Sequence, residues 1–418
     1  MNGQIRPARA LAAKGRQTRE KILSASREVF TNRGYFGASV SEITRRCGLS
    51  QGTFYQYFNS KDQVLLELTD QMLADFWDQA HALITSGLEQ EALLYEGVSL
   101  VFHHTRTNLP YIRVLGDLEL VDPVTIAYYD SLARFIRQLS RAAALSGVIR
   151  PMDPNLIAYG LIGIAQFQCM ELGDGFGVTQ HAEVVSQTMD LLYRGISGPK
   201  AWDGVKLPLK GLDSSDGEVL SPQEQAITQG QKTRQDLFRA AELIFGQHGF
   251  NRASISEITR MAGVAQGTFY VHFQSKQDLF EGVIRYLSRD LRRQLRRAIQ
   301  GAGDRRLAEA KGMVAFYEFI RRHREFYRIV AESDAVSPES SRWYYNRLAE
   351  GYAGAVEAGV NSGDLRRMPV SFLVRALMGF NHMIGLKWLI WNSSPHAEIP
   401  SQLVDEAVDL ILNGLSPA

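Results

Sequence analysis

Two stretches of this chain are copies of one another. Residues 18–68, TREKILSASREVFTNRGYFGASVSEITRRCGLSQGTFYQYFNSKDQVLLEL, align without a gap on residues 233–283, TRQDLFRAAELIFGQHGFNRASISEITRMAGVAQGTFYVHFQSKQDLFEGV, and 21 of the 51 positions are identical. Beyond the heads the likeness continues more weakly. Tyr128-Tyr129-Asp130-Ser131-Leu132-Ala133 matches Tyr344-Tyr345-Asn346-Arg347-Leu348-Ala349, and Gly147-Val148-Ile149-Arg150 matches Gly363-Asp364-Leu365-Arg366. The repeated unit is therefore about 200 residues, far longer than the roughly 20–50 of a solenoid repeat. A chain of 418 residues has room for two to four domains at about 100–200 residues each, so two domain-sized units in tandem are expected.

Residues 198–222 cluster Gly, Pro, Ser and Asp with no helical period and read as a linker. At roughly 3.3 Å per residue such a segment spans up to about 80 Å, enough for the two units to lie side by side. The expected division is a head over 1–70, a body over 71–197, the linker over 198–222, a second head over 223–285 and a second body over 286–418.

Outside the linker almost every segment has a helical period. Ile22, Leu23, Ser26, Val29 and Phe30 fall on one face of a helix that Gly34 ends. Ser39-Val40-Ser41-Glu42 has the form of a capping box, as does Ser254-Ile255-Ser256-Glu257, and each opens a short helix closed by a glycine, Gly48 or Gly263. Ser50 caps the next short helix, Gln51 to Phe58, and Ser60-Lys61-Asp62-Gln63 opens a longer one. Helix, glycine turn, helix is the bihelical DNA-binding unit. Rotated at about 100° per residue, the second short helix buries Phe54 and Phe58 and turns Gly52, Thr53 and Gln56 outward, flanked by Tyr55 and Tyr57. That outward face lacks acids. Its N-terminus offers unpaired N–H groups to phosphate, and Gly52 permits close backbone approach.

At GTFYQYFNSK and GTFYVHFQSK the pattern becomes specific: both heads resemble the TetR/AcrR family of bacterial regulators. The resemblance covers about 50 residues per copy. It implies an all-α fold of two tandem units, each a three-helix head on a larger helical body whose last two helices form a four-helix bundle with a partner. It also implies repression relieved by a small molecule. Carried over by position, Gln51, Thr53, Tyr55 and Tyr57 face the groove and backbone, with Lys61 on phosphate; their counterparts are Gln266, Thr268, Tyr270, His272 and Lys276. Ser39, Ser41, Arg45, Ser50, Gly52 and Gln56 complete the first candidate DNA surface, and Ser254, Ser256, Arg260 and Gly267 the second. The copies diverge where Ser50 becomes Ala265, Gln56 becomes Val271 and Tyr57 becomes His272. A basic arm, Arg6, Arg9, Lys14 and Arg16, precedes only the first head; such an arm is able to enter a minor groove.

Charge is uneven. The net is +1, yet residues 1–70 hold 11 Lys/Arg against 6 Asp/Glu, a local footprint suited to nucleic acid. The basic run Arg289–Arg297 is able to touch an acidic ligand or DNA, with a solvated helix face as the default reading. Segments 155–172, 183–197, 370–391 and 401–415 are apolar enough to need a partner surface and are the candidates for a bundle between the units. For a ligand cavity the aromatic candidates are Phe102, Tyr111, Tyr128, Phe135 and Phe167 in the first unit and Phe316, Phe319, Tyr327, Tyr344 and Phe380 in the second. They would suit a small apolar or acyl-type ligand.

No metal or cofactor is expected. Cys47 and Cys169 are too few for a disulfide framework or a metal site, and the adjacent His103 and His104 point to different helix faces. There is no apolar leader and no run of about 18 apolar residues, so a reducing cytoplasm and no membrane contact are expected. No phosphate loop, HExxH or Gly-x-Ser-x-Gly string supports an enzyme. The expected function is a ligand-released repressor in which one chain reads one double-stranded operator as a pseudo-dimer; pairing of two chains is left open. The rival reading gives DNA binding to one unit and protein interaction or sensing to the other.

Overall fold

Apolar side chains at three- and four-residue spacing dictate helices throughout. The computed structural model describes residues 13–117, 122–172, 177–202, 204, 228–394 and 396–417, and among these every extended element is helical. The first half runs α1 (Ala13–Gly37), α2 (Val40–Cys47), α3 (Gln51–Tyr57), α4 (Lys61–Ile84), α5 (Gln90–Asp117), α6 (Pro123–Leu145), α7 (Pro154–Leu172) and α8 (Val178–Arg194). The second runs α9 (Gln229–Arg252), α10 (Ile255–Met261), α11 (Gln266–His272), α12 (Lys276–Ile299), α13 (Arg305–Arg322), α14 (Arg324–Val336), α15 (Pro338–Ser362), α16 (Val370–Gly385) with a π-helical turn Leu386–Ile390, and α17 (Ser401–Asn413).

Each head is a three-helix core. Ile22, Leu23, Val29 and Phe30 of α1 meet Ile43, Phe54 and Phe58; Leu237, Phe238, Ile244 and Phe245 of α9 meet Ile258, Phe269 and Phe273. The turn between the two short helices rests on Gly48 and Gly263, both with φ of 67°. In that left-handed conformation the following N–H turns back onto the helix, Leu49 to the Thr44 carbonyl and Val264 to that of Thr259, and a side chain at the glycine would be strained.

Head and body share a continuous helix. The stripe Val64, Leu65, Leu68, Met72, Phe76 and Ala80 stays buried from one end of α4 to the other, so α4 runs through the expected boundary at residue 70. Likewise α12 runs through residue 285 with Leu279, Val283, Leu287 and Leu291 buried. Most of the expected linker, residues 203 and 205–222, lies outside the described residues, as do Arg6 and Arg9 of the arm. The linker's first residues are bound: Gly198 N–H donates to the Asp364 carbonyl and Lys200 N–H to that of Gly363. Lys14 and Arg16 belong to the first turns of α1 instead of an extended arm.

The apolar segments expected to need a partner surface pack across the two halves. α7 lies on α16 at a pair of glycines: a Cβ on Gly163 would stand 2.0 Å from the Gly379 carbonyl oxygen, and one on Gly379 2.2 Å from that of Gly163. α8 packs on α17 and the backbone exchange between them is reciprocal. Ile196 and Ser197 N–H groups donate to the Ile411 and Leu412 carbonyls, while Leu415 and Ser416 N–H groups donate to those of Leu192 and Tyr193. Arg150 reaches the Gly414 carbonyl and the Asp409 carboxylate; Arg366, its repeat counterpart, reaches the Gly195 carbonyl and Asp190.

Candidate nucleic-acid interface and effector cavity

On the first head Gln51, Gly52, Tyr55 and Gln56 are exposed, with Thr53 and Tyr57 partly so; on the second, Gln266, Gly267 and Tyr270 are exposed, with Thr268 and His272 partly so. Tyr55 and Tyr270 keep 54% and 57% of their surface in solvent, unusually high for large aromatics whose neighbours Phe54 and Phe269 are fully buried. Ser39, Ser41, Ser50, Arg45, Ser256 and Arg260 are exposed around them. These positions form one outward surface per head.

Of the expected boxes at Ser39, Ser60 and Ser254, only that at Ser254 closes. Ser39 Oγ accepts the Glu42 N–H, but the Glu42 carboxylate turns to Arg33 instead of closing the box. Ser254 and Glu257 close it in both directions, and hydrogen bonds from Ser254 hold the Glu257 carboxyl below its ordinary value. At the second short helix Ser50 Oγ accepts the Thr53 N–H, whereas Ala265 leaves α11 without a side-chain cap. Ser60 Oγ accepts the Gln63 N–H, while Gln63 Oε1 accepts from Asn59, one residue before the box requires.

Lys61 and Lys276, expected on phosphate, are each held by backbone carbonyls of their own head. Each ammonium turns inward, Lys61 donating to the Tyr35 and Ala38 carbonyls at 2.8 and 3.2 Å and Lys276 to those of Phe250 and Ala253 at 2.7 and 2.9 Å. Partial burial lowers both pKa values. The long side chain reaches carbonyls left open where α1 and α9 end, which offer fixed acceptors close at hand.

A cavity of about 190 Å³ lies in the second body. Of the ten aromatics expected at a cavity, Phe167, Phe316, Tyr327 and Tyr344 line it. Six do not. Phe102, Tyr128 and Phe135 have no exposed surface and fill the first body's core, with Tyr128 joined to His104 Nε2. Tyr111 donates to the Leu65 carbonyl, Phe319 packs on Phe326 and His323 in the second head's core, and Phe380 lies over Gly160 between α7 and α16. A lone aromatic more often completes a core than walls a void, and periodicity does not separate the two.

The asymmetry has a residue-level cause. Repeat alignment pairs Phe135 with Gly351 and Leu139 with Ala355. In the first body Leu139 sits on Gly97, 2.3 Å from where a Cβ would stand, and Phe135 meets Phe76 edge-on. In the second, Gly351 and Ala355 face the void together with Gly312. Beside Leu139 the first body keeps a cleft of about 40 Å³ lined also by Leu94 and Leu161 among others.

The basic run expected to be a solvated face is only partly so, because Arg292, Leu295, Arg296 and Ile299 of α12 line the cavity at helical spacing. Burial and the nearby Arg347, Arg296 and Arg289 depress the Arg292 pKa, and its Nη1 is buried without a hydrogen-bond partner. Deeper, Glu309 offsets burial and keeps Arg305 charged, and Tyr352 donates to Glu309. Burial drives His382 down to about 4, leaving a neutral ring bonded to Tyr327. Arg292 belongs to the basic run already singled out as able to meet an acidic ligand, and Glu309 went unmarked because it sits in a charged helical stretch.

Two exposed helix-turn-helix surfaces without acids, held on helical bodies, define a DNA-binding regulator with two heads. The comparisons agree: residues 22–68 and 237–283 each match the family described as bacterial regulatory proteins, tetR family. Each half of the chain thus carries a head that matches this family. It is 27% identical over 195 residues to the uncharacterized HTH-type transcriptional regulator YdgC of Bacillus subtilis, a match covering 44% of this chain and 96% of that protein. It is 32% identical over 104 residues to the HTH-type transcriptional activator FasR of Mycolicibacterium smegmatis, covering 25% of this chain and 48% of that one. Among solved structures, FadR from Bacillus subtilis in complex with stearoyl-CoA covers 41% of this chain and 96% of its own at 18% identity and a TM-score of 0.37. No described helix is long and apolar enough to cross a membrane.

Proposed function

We propose that this regulator is a repressor whose two heads occupy a single asymmetric operator as an intrachain pseudo-dimer, released when an apolar ligand with an anionic group enters the second body. The observation that carries the reading is the reciprocal exchange between α7–α8 and α16–α17, in which Arg150 with Asp409 mirrors Arg366 with Asp190. Such isologous pairing is what a two-fold dimer makes between subunits, and dimers of that kind read successive major grooves with two recognition helices. The exposed residues Gln51, Thr53, Tyr55, Gln56 and Tyr57 on one head and Gln266, Thr268, Tyr270 and His272 on the other are the proposed readers. Val271, 79% exposed where the first head has Gln56, favours apolar contact such as a thymine methyl, so the half-sites differ. Selection of bound sequences from a random pool should return related but unequal half-sites. Tyr55→Ala and Tyr270→Ala should each weaken specific binding at least tenfold in gel-shift titrations, a loss of about 1.4 kcal/mol or more.

The ligand class follows from the cavity: mostly apolar walls for a hydrocarbon body, with Arg292 and Arg296 able to meet an anionic group. A route to the second head supports release. Tyr327 of α14 lines the cavity while Glu332 of the same helix accepts the Phe250 N–H of α9, and α12 runs from the head to the cavity wall.

The uncapped α11 and the apolar Val271 favour a second reading, in which the second head senses or binds protein and only the first reads DNA. It predicts that Tyr270→Ala leaves specific binding unchanged.

A further inference from the structure

Two ion pairs cross between the halves where α7 meets α16 and its π-helical extension. Lys387 donates to Asp130 at 2.8 Å, and Arg375 lies 2.6 Å from Glu171. Lys387 also stands 4.7 Å from the Tyr159 ring centroid, and Tyr159 donates to the same carboxylate. These residues occupy equivalent places in the repeat: Asp130 matches Asn346, Tyr159 matches Arg375 and Glu171 matches Lys387. The cluster Asp130, Tyr159 and Lys387 and the cluster Asn346, Arg375 and Glu171 are thus symmetry-related, with the charge at the place shared by Lys387 and Glu171 reversed between them.

That reversal has a consequence for pairing. If the first body met another copy of itself, the partner's Glu171 would occupy the place of Lys387 and face Asp130, acid against acid. If the second body met its own copy, Lys387 would occupy the place of Glu171 and face Arg375, base against base. Only unlike bodies bring opposite charges together at both places. The two bases are partly buried, Arg375 to 14% exposure and Lys387 to 27%, while Glu171 and Asp130 keep 45% and 42%, so solvent screens these pairs somewhat less than fully exposed ones. Discrimination between similar partners commonly rests on such repulsion in the unwanted pairing.

Resting on the pseudo-dimer reading above, we infer that Asp130–Lys387 and Glu171–Arg375 form a charge code that makes each body pair with the unlike body and rejects like-with-like pairing between chains. The contact that aligns the two bodies then also disfavours joining two chains first body to first body or second body to second.

The test uses the full chain and its molar mass by sedimentation. The double variant Glu171→Lys with Lys387→Glu keeps the net charge, makes each body complementary to its own copy and places like charges across the intrachain contact. It should double the molar mass to that of two chains, reversibly on dilution, while the unsubstituted protein sediments as one. Adding Asp130→Lys and Arg375→Glu restores opposite charges within the chain and should return a single chain. A double variant that stays a single chain overturns the code. If the double variant does not fold, the fourfold variant decides: recovery of the original melting temperature and mass supports the code, and failure to recover overturns it. An unsubstituted protein that sediments as two chains would instead remove the one-chain reading, while the code would still be read from whether the fourfold variant recovers the melting temperature lost in the double.

Discussion

At the scale of single residues, the lysine that ends the GTFY string is tied into the backbone of its own head. Lys61 and Lys276 each hold two backbone carbonyls and a ring, Lys61 over Tyr35 at 4.3 Å and Lys276 over Phe250 at 4.5 Å. Lys61→Met should cost the first head about 1–3 kcal/mol through the Ala38 carbonyl left without a donor, read as a lower denaturation midpoint. It should leave the salt dependence of DNA binding unchanged, whereas loss of a phosphate contact would reduce the slope by about one. The caps give an independent check: Ser50→Ala should destabilise by about 1 kcal/mol and Ala265→Ser should stabilise by a similar amount, since only α3 has a side-chain cap. Hydrogen exchange of α3 and α11 amides resolves the two heads.

At the scale of elements, α6 and α15 are the same helix with different bulk. Phe135 and Leu139 close the first body; Gly351 and Ala355 open the second. Gly351→Phe should fill the second cavity and abolish the response of DNA binding to ligand while changing operator affinity without ligand less than threefold, about 0.65 kcal/mol. An unaltered ligand response would place the effector elsewhere. Because α16 contributes Leu377, Met378 and His382 to the cavity wall while packing on α7 through Gly379, the void lies against the contact between the halves and is not isolated within one of them.

At the scale of the whole molecule, buried histidines tie stability to pH. Burial holds both His104 and His382 at about 4, against the ordinary 6.5, so both rings are neutral in the folded chain. The unfolded chain takes up these protons first as pH falls. Stability should therefore decline from about pH 6.5 to about pH 4, with no further loss from these groups below that. Urea midpoints across this window measure it, and His382→Gln should flatten the slope. A slope of opposite sign would mean the rings are charged in the fold.

The duplicated head, its capped short helices, its glycine turn and its outward tyrosines were all legible in the sequence, because they depend on local spacing and on residue types that act within a few positions. So was the need of the four late helices for a partner, since their apolar surface exceeds one face. What tertiary structure alone decided were matters of distance along the chain. The inward turn of Lys61 depends on carbonyls 23 and 26 residues away, and the partner of Arg150 lies 264 residues on. Which aromatics fill space and which border a void depends on what faces them: Phe135 and Gly351 occupy one place in the repeat, but only the assembled body reveals that one closes a core and the other leaves it open. Local pattern sets the helices; packing across hundreds of residues sets what their faces meet.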